Sequence, residues 1–179
     1  MNWWITQVFR YIPKWDRASI FMLCGSIVLF SILAFVIGNA IQWNKRKRFS
    51  FIAFGIYLTF VLLSTVITRV PYEGVHMRLA PLWTFTQVKK YGWNHVLREV
   101  LFNIAMLLPL STIAVIGFPS IKRKWIVLTG LALSLSIELL QVTLRRGVFE
   151  VDDLLFNTLG VFLGAVIGSV VKKRLGICC

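Results

Sequence analysis

The sequence WIVLTGLALSLSIELLQVTLRRGVFEVDDLLFNTLGVFLGAVIGSVVKKR, residues 125–174, decides the fold. It contains two apolar runs, 125–144 and 154–171, which are joined by a short polar stretch. Each run is close to the length of about 20 residues that an α-helix needs to cross the hydrocarbon core of a bilayer. A connection this short makes the two helices antiparallel neighbours, so their polar ends are predicted to lie side by side.

Three more apolar runs, at residues 19–43, 49–67 and 96–118, precede this pair. Backbone polar groups in lipid must pair within their own segment, so each run is predicted to be a transmembrane helix. The predicted fold class is an all-α membrane protein, a bundle of about five transmembrane helices that occupies residues 19–179 as one domain. Residues 1–18 place aromatic side chains at helical spacing among basic ones, which is typical of an interfacial segment.

The composition excludes other classes of protein. Of the 179 residues, 58% are hydrophobic, which is not the composition of a soluble domain. The net charge of +13 arises from short basic runs at the ends of apolar segments, so membrane topology explains it better than nucleic-acid binding does. His76 and His95 lack metal-ligand spacing and the three cysteines form no paired framework, so we expect no metal, no cofactor and no disulfide.

The fourth predicted helix carries a candidate site, because Glu138, Gln141 and Arg145 share an arc of about 60° on its surface. At about 1.5 Å per residue, Glu138 lies about 9 Å from the end of this helix. A carboxylate at that depth costs about 2.5 kcal/mol or more unless it faces a partner or a wet cavity. Such a residue is therefore a site candidate by default.

Helices three and five bring Asn103, Asp153 and Asn157 to the same end of the bundle. Asp153 lies near a helix amino terminus, where an acid either caps unpaired N–H groups or belongs to a site, and both roles stay open. Asn157 lies one turn further along that helix. Small residues four apart favour close packing of two helices in lipid, and helix five has such a series at Gly160, Gly164 and Gly168.

These polar residues support two interpretations. The first is a single polar cleft, open outward, that binds a ligand. The second is a satisfied network that only holds the bundle together, since ion pairs within a membrane are sometimes structural. In that network Glu138 would pair with Arg69, Arg98 or Arg145.

Four blocks of the sequence resemble the VanZ-like family over roughly residues 69–171. They are RLAPLWTF at 78–85, EVLFN at 99–103 with Pro109, ELLQ at 138–141, and RGVFEVDDLLFNTLG at 146–160. Where the family has Pro-Leu-Gly, this chain has Pro109-Leu-Ser111. The resemblance implies a bacterial cytoplasmic-membrane protein whose namesake is linked to resistance to teicoplanin, a lipid-bearing glycopeptide that binds cell-wall precursors. The family's characteristic residues fall on Asn103, Glu138, Gln141, Arg146, Asp153 and Asn157.

The leading functional hypothesis is a non-enzymatic, or at least metal-free, membrane factor that binds an amphipathic ligand at the outer leaflet and lowers sensitivity to lipoglycopeptides. Its partners would be membrane lipids and a lipoglycopeptide or a lipid-linked cell-wall precursor, with Arg145 and Arg146 meeting an anionic head group. An alternative is an enzyme that acts on a lipid-linked substrate with Glu138 or Asp153 as general base. A transporter would need polar residues on the inner side, and the inner halves of helices three to five carry no ionisable group.

The orientation follows from the clustering of basic residues. Compact basic runs at Lys45, Lys122 and Lys172 adjoin helix ends and have no acid beside them, whereas the acids fall at the opposite ends. Short unopposed basic loops belong in the cytoplasm, which predicts an external amino terminus and a cytoplasmic carboxyl terminus.

Cysteine labelling tests this orientation. Cys178 and Cys179 should not react with a membrane-impermeant thiol reagent in intact cells and should react after permeabilisation. A Cys24→Ser variant removes the third thiol and serves as the background for the measurement. Labelling of the two carboxyl-terminal cysteines in intact cells would show that the orientation is reversed.

Overall fold

The computed structural model describes residues 16–69, 71 and 74–177 of the chain. The elements in this part are, in chain order, α1 (Arg17–Ala40), α2 (Lys45–Leu62), β1 (Met77–Arg78), α3 (Trp83–Thr86), α4 (Val88–Tyr91), α5 (Trp93–Gly117), α6 (Arg123–Thr143), β2 (Phe149–Glu150) and α7 (Val151–Arg174). Five helices (α1, α2, α5, α6 and α7) are long and apolar enough to cross a membrane, which confirms the predicted all-α membrane fold. Most of the predicted interfacial segment, with Cys178 and Cys179, lies outside the described residues.

The long helices begin a few residues before the apolar runs that predict them. For example, α2 begins at Lys45 rather than at residue 49, and α7 begins at Val151 rather than at residue 154. The early start of α2 has a local cause, because the Asn44 side chain accepts a hydrogen bond from the Lys47 N–H at 3.0 Å and caps the helix. The basic run 45–48 is therefore the first turn of α2 rather than a loop.

The most extensive contact between helices joins α5 and α7. Gly160, Gly164 and Gly168 lie along one face of α7, and α5 packs directly on them. A Cβ atom on Gly160 would overlap the Ile104 carbonyl oxygen, and one on Gly164 would overlap the Leu108 carbonyl oxygen. Only glycine permits so close an approach of two backbones. The prediction that the glycine face packs on another helix is confirmed.

The helices α6 and α7 are antiparallel neighbours, as the short connection between them predicts. Their register is visible at Ser134 and Asn157, where the asparagine amide donates a hydrogen bond to the serine hydroxyl at 3.0 Å. One turn toward the connection, the same register sets Glu138 of α6 opposite Asp153 of α7, and the charges of these two residues interact. The pairing of α6 with α7 therefore positions two carboxylates at one level.

The helix α2 ends in a π turn, Leu63–Ile67, which the sequence does not predict. Within it the Thr68 N–H donates to the Leu63 carbonyl oxygen, five residues earlier, at 3.0 Å. The Thr68 hydroxyl donates to the same oxygen at 2.8 Å. Turns of this kind are rare and occur frequently at functional sites.

A two-residue parallel bridge ties together the two connections at this end of the bundle. Met77 pairs with Phe149 and Arg78 pairs with Glu150, and the Phe149 N–H donates to the His76 carbonyl oxygen at 3.1 Å. The bridge joins the long connection between α2 and α5 to the short one between α6 and α7. It places β2 directly before the first turn of α7.

Substitution of Gly164 tests the contact between α5 and α7. Gly164→Leu should lower the melting temperature in detergent, because the new side chain must push the α5 backbone away, and overpacking typically costs about 1–3 kcal/mol or more. Gly25→Leu is the matched control, because a Cβ atom at Gly25 meets nothing within 4 Å. Equal melting temperatures for the two variants would contradict the packing described here.

Candidate functional site

The carboxyl-terminal ends of α2 and α6 and the amino-terminal ends of α5 and α7 meet at one end of the bundle. Hydrogen bonds connect α6 with the π turn, α6 with β2, and α5 with α7. Four of the polar side chains at this junction are almost completely buried, with exposed fractions of 1% for Glu138, 2% for Gln141, 1% for Asp152 and 1% for Asn157, and Asn103, Arg146 and Asp153 are partly buried. We call this junction the polar end of the bundle.

Glu138 of α6 and Asp153 of α7 are two carboxylates at one level of the bundle whose charges interact. Glu138 Oε2 accepts a hydrogen bond from the Glu150 N–H at 3.1 Å. Asp153 Oδ1 accepts one from the Asn103 side-chain amide. The positive charge of Arg69 acts on both carboxylates. The polar end therefore holds two acids on neighbouring helices, each oriented by a neutral donor.

Gln141 and Arg146 both contact carbonyl oxygens of the π turn. The Gln141 amide donates to the Thr65 carbonyl oxygen at 3.0 Å, and the Arg146 guanidinium donates to the Ile67 carbonyl oxygen. Carbonyl groups at a helix end lack partners within the helix, and a cation there is favourable. These two predicted site residues thus attach the end of α2 to α6, which is a structural role.

Arg145 is the one predicted site residue whose side chain is exposed. It has a left-handed backbone with φ of 54°, and its side chain is exposed. Its N–H donates to the Val142 carbonyl oxygen at 3.0 Å, and the Arg146 N–H donates to the Gln141 carbonyl oxygen at 2.7 Å. These two bonds form a Schellman motif that ends α6 and directs Arg146 toward α2.

Asp152 contributes to the polar end in a way that the sequence does not reveal. Its two carboxylate oxygens accept hydrogen bonds from the Leu82 N–H at 2.5 Å and from the Thr84 N–H at 2.7 Å. Leu82 has a left-handed backbone with φ of 61°, so this carboxylate stabilises a turn that is unfavourable for leucine. An acid at a helix start predicts capping of its own helix, whereas Asp152 binds a segment about 70 residues away in the chain.

Glu150 and Arg78 form an ion pair at the rim of the polar end, with 2.7 Å between Arg78 Nη1 and Glu150 Oε1. Burial raises the pKa of Glu150, and the neighbouring Arg78 opposes that rise. The charges of Glu99 and Asp152 also act near this pair. In the part of the chain that the structure describes, these acids do not form a group of three or more His, Cys, Asp or Glu residues able to hold a metal ion.

Two acceptor atoms at the polar end are buried without a donor among the described residues. They are Gln141 Oε1 and Asn157 Oδ1. Most buried polar atoms in proteins have a hydrogen-bond partner, and one without a partner costs about 1–3 kcal/mol. Both atoms belong to side chains whose amide groups already donate elsewhere, so each can accept a further donor.

Five membrane-spanning helices around a buried polar end define a multi-pass α-helical membrane protein. The chain belongs to the VanZ/LLP1 family, whose model matches residues 49–172, and the predicted family resemblance is thereby confirmed. The match extends from α2 into the last turn of α7 and includes every residue of the polar end named above. No curated protein and no solved structure matches the chain.

Removal of the Asp152 carboxylate tests its structural role. Asp152→Ala should leave the N–H groups of Leu82 and Thr84 unpaired, at a cost of about 1–3 kcal/mol each, and should lower the free energy of unfolding in detergent. Thr86→Ala is the matched control in the same segment, because the exposed Thr86 hydroxyl bonds only near neighbours in the chain, donating to the Trp83 carbonyl oxygen and accepting from the Gln87 side-chain amide. An Asp152→Ala protein as stable as this control would exclude the role.

Proposed function

We propose that this VanZ-family protein lowers the sensitivity of a bacterial cell to teicoplanin-type lipoglycopeptides. It would do so by binding an amphipathic ligand, such as the antibiotic or a lipid-linked cell-wall precursor, at the polar end of the bundle. In this proposal the protein lies in the cytoplasmic membrane with an external amino terminus and a cytoplasmic carboxyl terminus, so the polar end faces outward. Family membership supports the general role, and the chemistry of the polar end supports the binding step.

The observation that carries the proposal is the excess of hydrogen-bond acceptors at the polar end. Glu138 and Asp153 supply carboxylate oxygens, and Gln141 Oε1 and Asn157 Oδ1 lack donors. Such a set suits a ligand with N–H or O–H donors, for example an amide, an amine or a sugar hydroxyl. A lipid tail on the same molecule would remain in the bilayer beside the helices.

The predicted arginines have different roles in this proposal. Arg145 is exposed at the end of α6, where it would meet an anionic head group. Arg146 contacts the Ile67 carbonyl oxygen and would act by fixing the connection before β2. Asn103 would orient Asp153 rather than contact the ligand.

The competing interpretation is that the same contacts only stabilise the bundle. Substitution of Glu138 by glutamine separates the two, because the amide oxygen of glutamine can still accept the Glu150 N–H while the negative charge is lost. For a purely structural network, loss of the charge strands a buried positive partner and costs about 3–5 kcal/mol.

Glu138→Gln should therefore abolish the lipoglycopeptide resistance phenotype while expression and melting temperature stay near those of the parent. Ser136→Ala is the matched control, because Ser136 lies on the same helix and its exposed hydroxyl donates to the Ala132 carbonyl oxygen of that helix. The control should keep the phenotype. Resistance and melting temperature are measured in the same set of strains, and a folded Glu138→Gln protein with full resistance would exclude a binding role for this residue.

A second candidate function is catalysis on a lipid-linked cell-wall substrate. One observation favours it, namely that the carboxylates of Glu138 and Asp153 lie at one level and interact. In such a pair one carboxylate can act as the general base that accepts a proton from the substrate. Product formation by the purified protein from a lipid-linked precursor would distinguish it from binding alone. In that case Glu138→Gln and Asp153→Asn should each abolish the product.

A further inference from the structure

A cavity of about 680 Å³ lies between α2 and α6, at the opposite end of the bundle from the polar end. The cavity is lined almost entirely by apolar side chains, mainly from α2, α5 and α6. They include Phe51, Phe54, Leu110, Ala114 and Leu133. Its volume falls within the range of about 300–1,000 Å³ that is typical of sites for small molecules. The cavity is large enough to hold part of a lipid.

The cavity exists because α2 and α6 approach each other at only one end. At the polar end, Gln141 of α6 bonds Thr65 in the π turn that follows α2. Toward the other end the two helices separate, and the space between them is bounded by Trp43 before α2 and by Trp125 in the first turn of α6. A gap between two membrane-spanning helices faces acyl chains rather than water over most of its height.

Basic runs adjoin both tryptophans at this end of the cavity. Trp43 is separated by one residue from the basic run 45–48, and Trp125 stands directly after the run 122–124. The described acidic side chains lie at the polar end or before α1, so none accompanies these runs. The mouth therefore presents unopposed positive charge at the depth where lipid phosphate groups lie.

Arg46 lies in the first turn of α2, three residues after the cavity-lining Trp43, and one of its side-chain atoms lacks a hydrogen-bond partner among the described residues. Arg46 lies one turn before Ser50, and Ser50 packs against Gly117 at the end of α5, so Arg46 is on the side of α2 that faces this junction. Its Nε atom is buried and has no acceptor among the described residues. By contrast, Arg48 Nε donates to the Trp43 carbonyl oxygen at 3.1 Å. Arg46 Nε is thus held by packing without an acceptor in the part of the chain that the structure describes.

We propose that this cavity binds an anionic phospholipid, with an acyl chain between α2 and α6 and the phosphate group on Arg46. The apolar cavity matches the acyl chain of such a lipid, and the basic residues near its mouth match the phosphate group. A soluble anion would leave the apolar walls uncovered, and a zwitterionic lipid would neutralise less of the charge. The inference concerns a second site and does not depend on the binding proposed for the polar end.

Thermal unfolding of the delipidated protein in detergent tests this site with defined probes. Dioleoyl phosphatidylglycerol should raise the melting temperature more than dioleoyl phosphatidylcholine at equal concentration, because a ligand that binds the folded state stabilises it. Dihexanoyl phosphatidylglycerol, which has the same head group and short chains, should raise it less. Inorganic phosphate should have no comparable effect.

Two variants locate the effect. Arg46→Gln should weaken the affinity for dioleoyl phosphatidylglycerol about fivefold, the contribution of one cationic side chain near an anionic lipid. Ala114→Phe should fill the cavity and remove the advantage of the long chains over the short ones. Arg174→Gln is the matched control, because it removes the same charge at the same end of the bundle from an exposed position at the end of α7.

Three outcomes would overturn the proposal. Equal stabilisation by the two dioleoyl lipids would show that the cavity does not select a negative charge. Equal weakening by Arg46→Gln and Arg174→Gln would show attraction to the whole basic surface rather than to a site. Stabilisation by inorganic phosphate as large as that by the lipid would show an anion site without a chain. Glu138→Gln should bind the lipid as the parent does, which separates this test from that of the polar end.

Discussion

The close approach of α5 to α7 is the contact on which the rest of the structure depends. Lipid offers little hydrophobic gain for helix association, so van der Waals contact between backbones must supply much of the attraction. The series Gly160, Gly164 and Gly168 allows this contact over three successive turns. With α7 held against α5 on one face and against α6 on another, Asp153 comes within reach of Asn103 and also lies opposite Glu138. The arrangement of the polar end is therefore a consequence of helix packing.

The side chains of the polar end fall into two groups. One group stabilises the connections between helices, and the other can still accept further hydrogen bonds. Two residues of the first group, Gln141 and Arg146, bond backbone carbonyl groups of the π turn. The third, Asp152, bonds a backbone N–H group in the segment before α3. No helix or sheet would otherwise satisfy these atoms. Glu138 and Asp153 bond only single donors among the described hydrogen bonds, and they interact as like charges across the α6–α7 contact. Like charges at one level are unfavourable for stability alone. This difference distinguishes the residues with a structural role from those proposed to act on a ligand.

Hydropathy and residue spacing were sufficient to predict the five long helices, the antiparallel pair α6 and α7, the glycine contact and the meeting of polar residues at one end. They were insufficient where a contact links distant parts of the chain. The bonds of Asp152 to Leu82 and Thr84, and the pairing of Arg78 with Glu150, depend on how the long connection folds back on α7. No local pattern specifies that path. The role of Arg146 was also hidden, because the carbonyl groups that it bonds belong to a π turn that has no clear signal in an apolar sequence.

That π turn also has a consequence for how the chain tolerates changes in length. A π turn accommodates one more residue than the α-helical path would need, so α2 behaves like a helix with a single inserted position. Removal of one residue between Leu63 and Ile67 would therefore convert the turn into regular α-helix and leave the register of the backbone on either side unchanged. The carbonyl groups within the turn would then point along the helix axis instead of toward Gln141 and Arg146. The additional residue is thus dispensable for α2 itself, and its constraint comes from the contact that its carbonyl groups make with α6 and the connection after it.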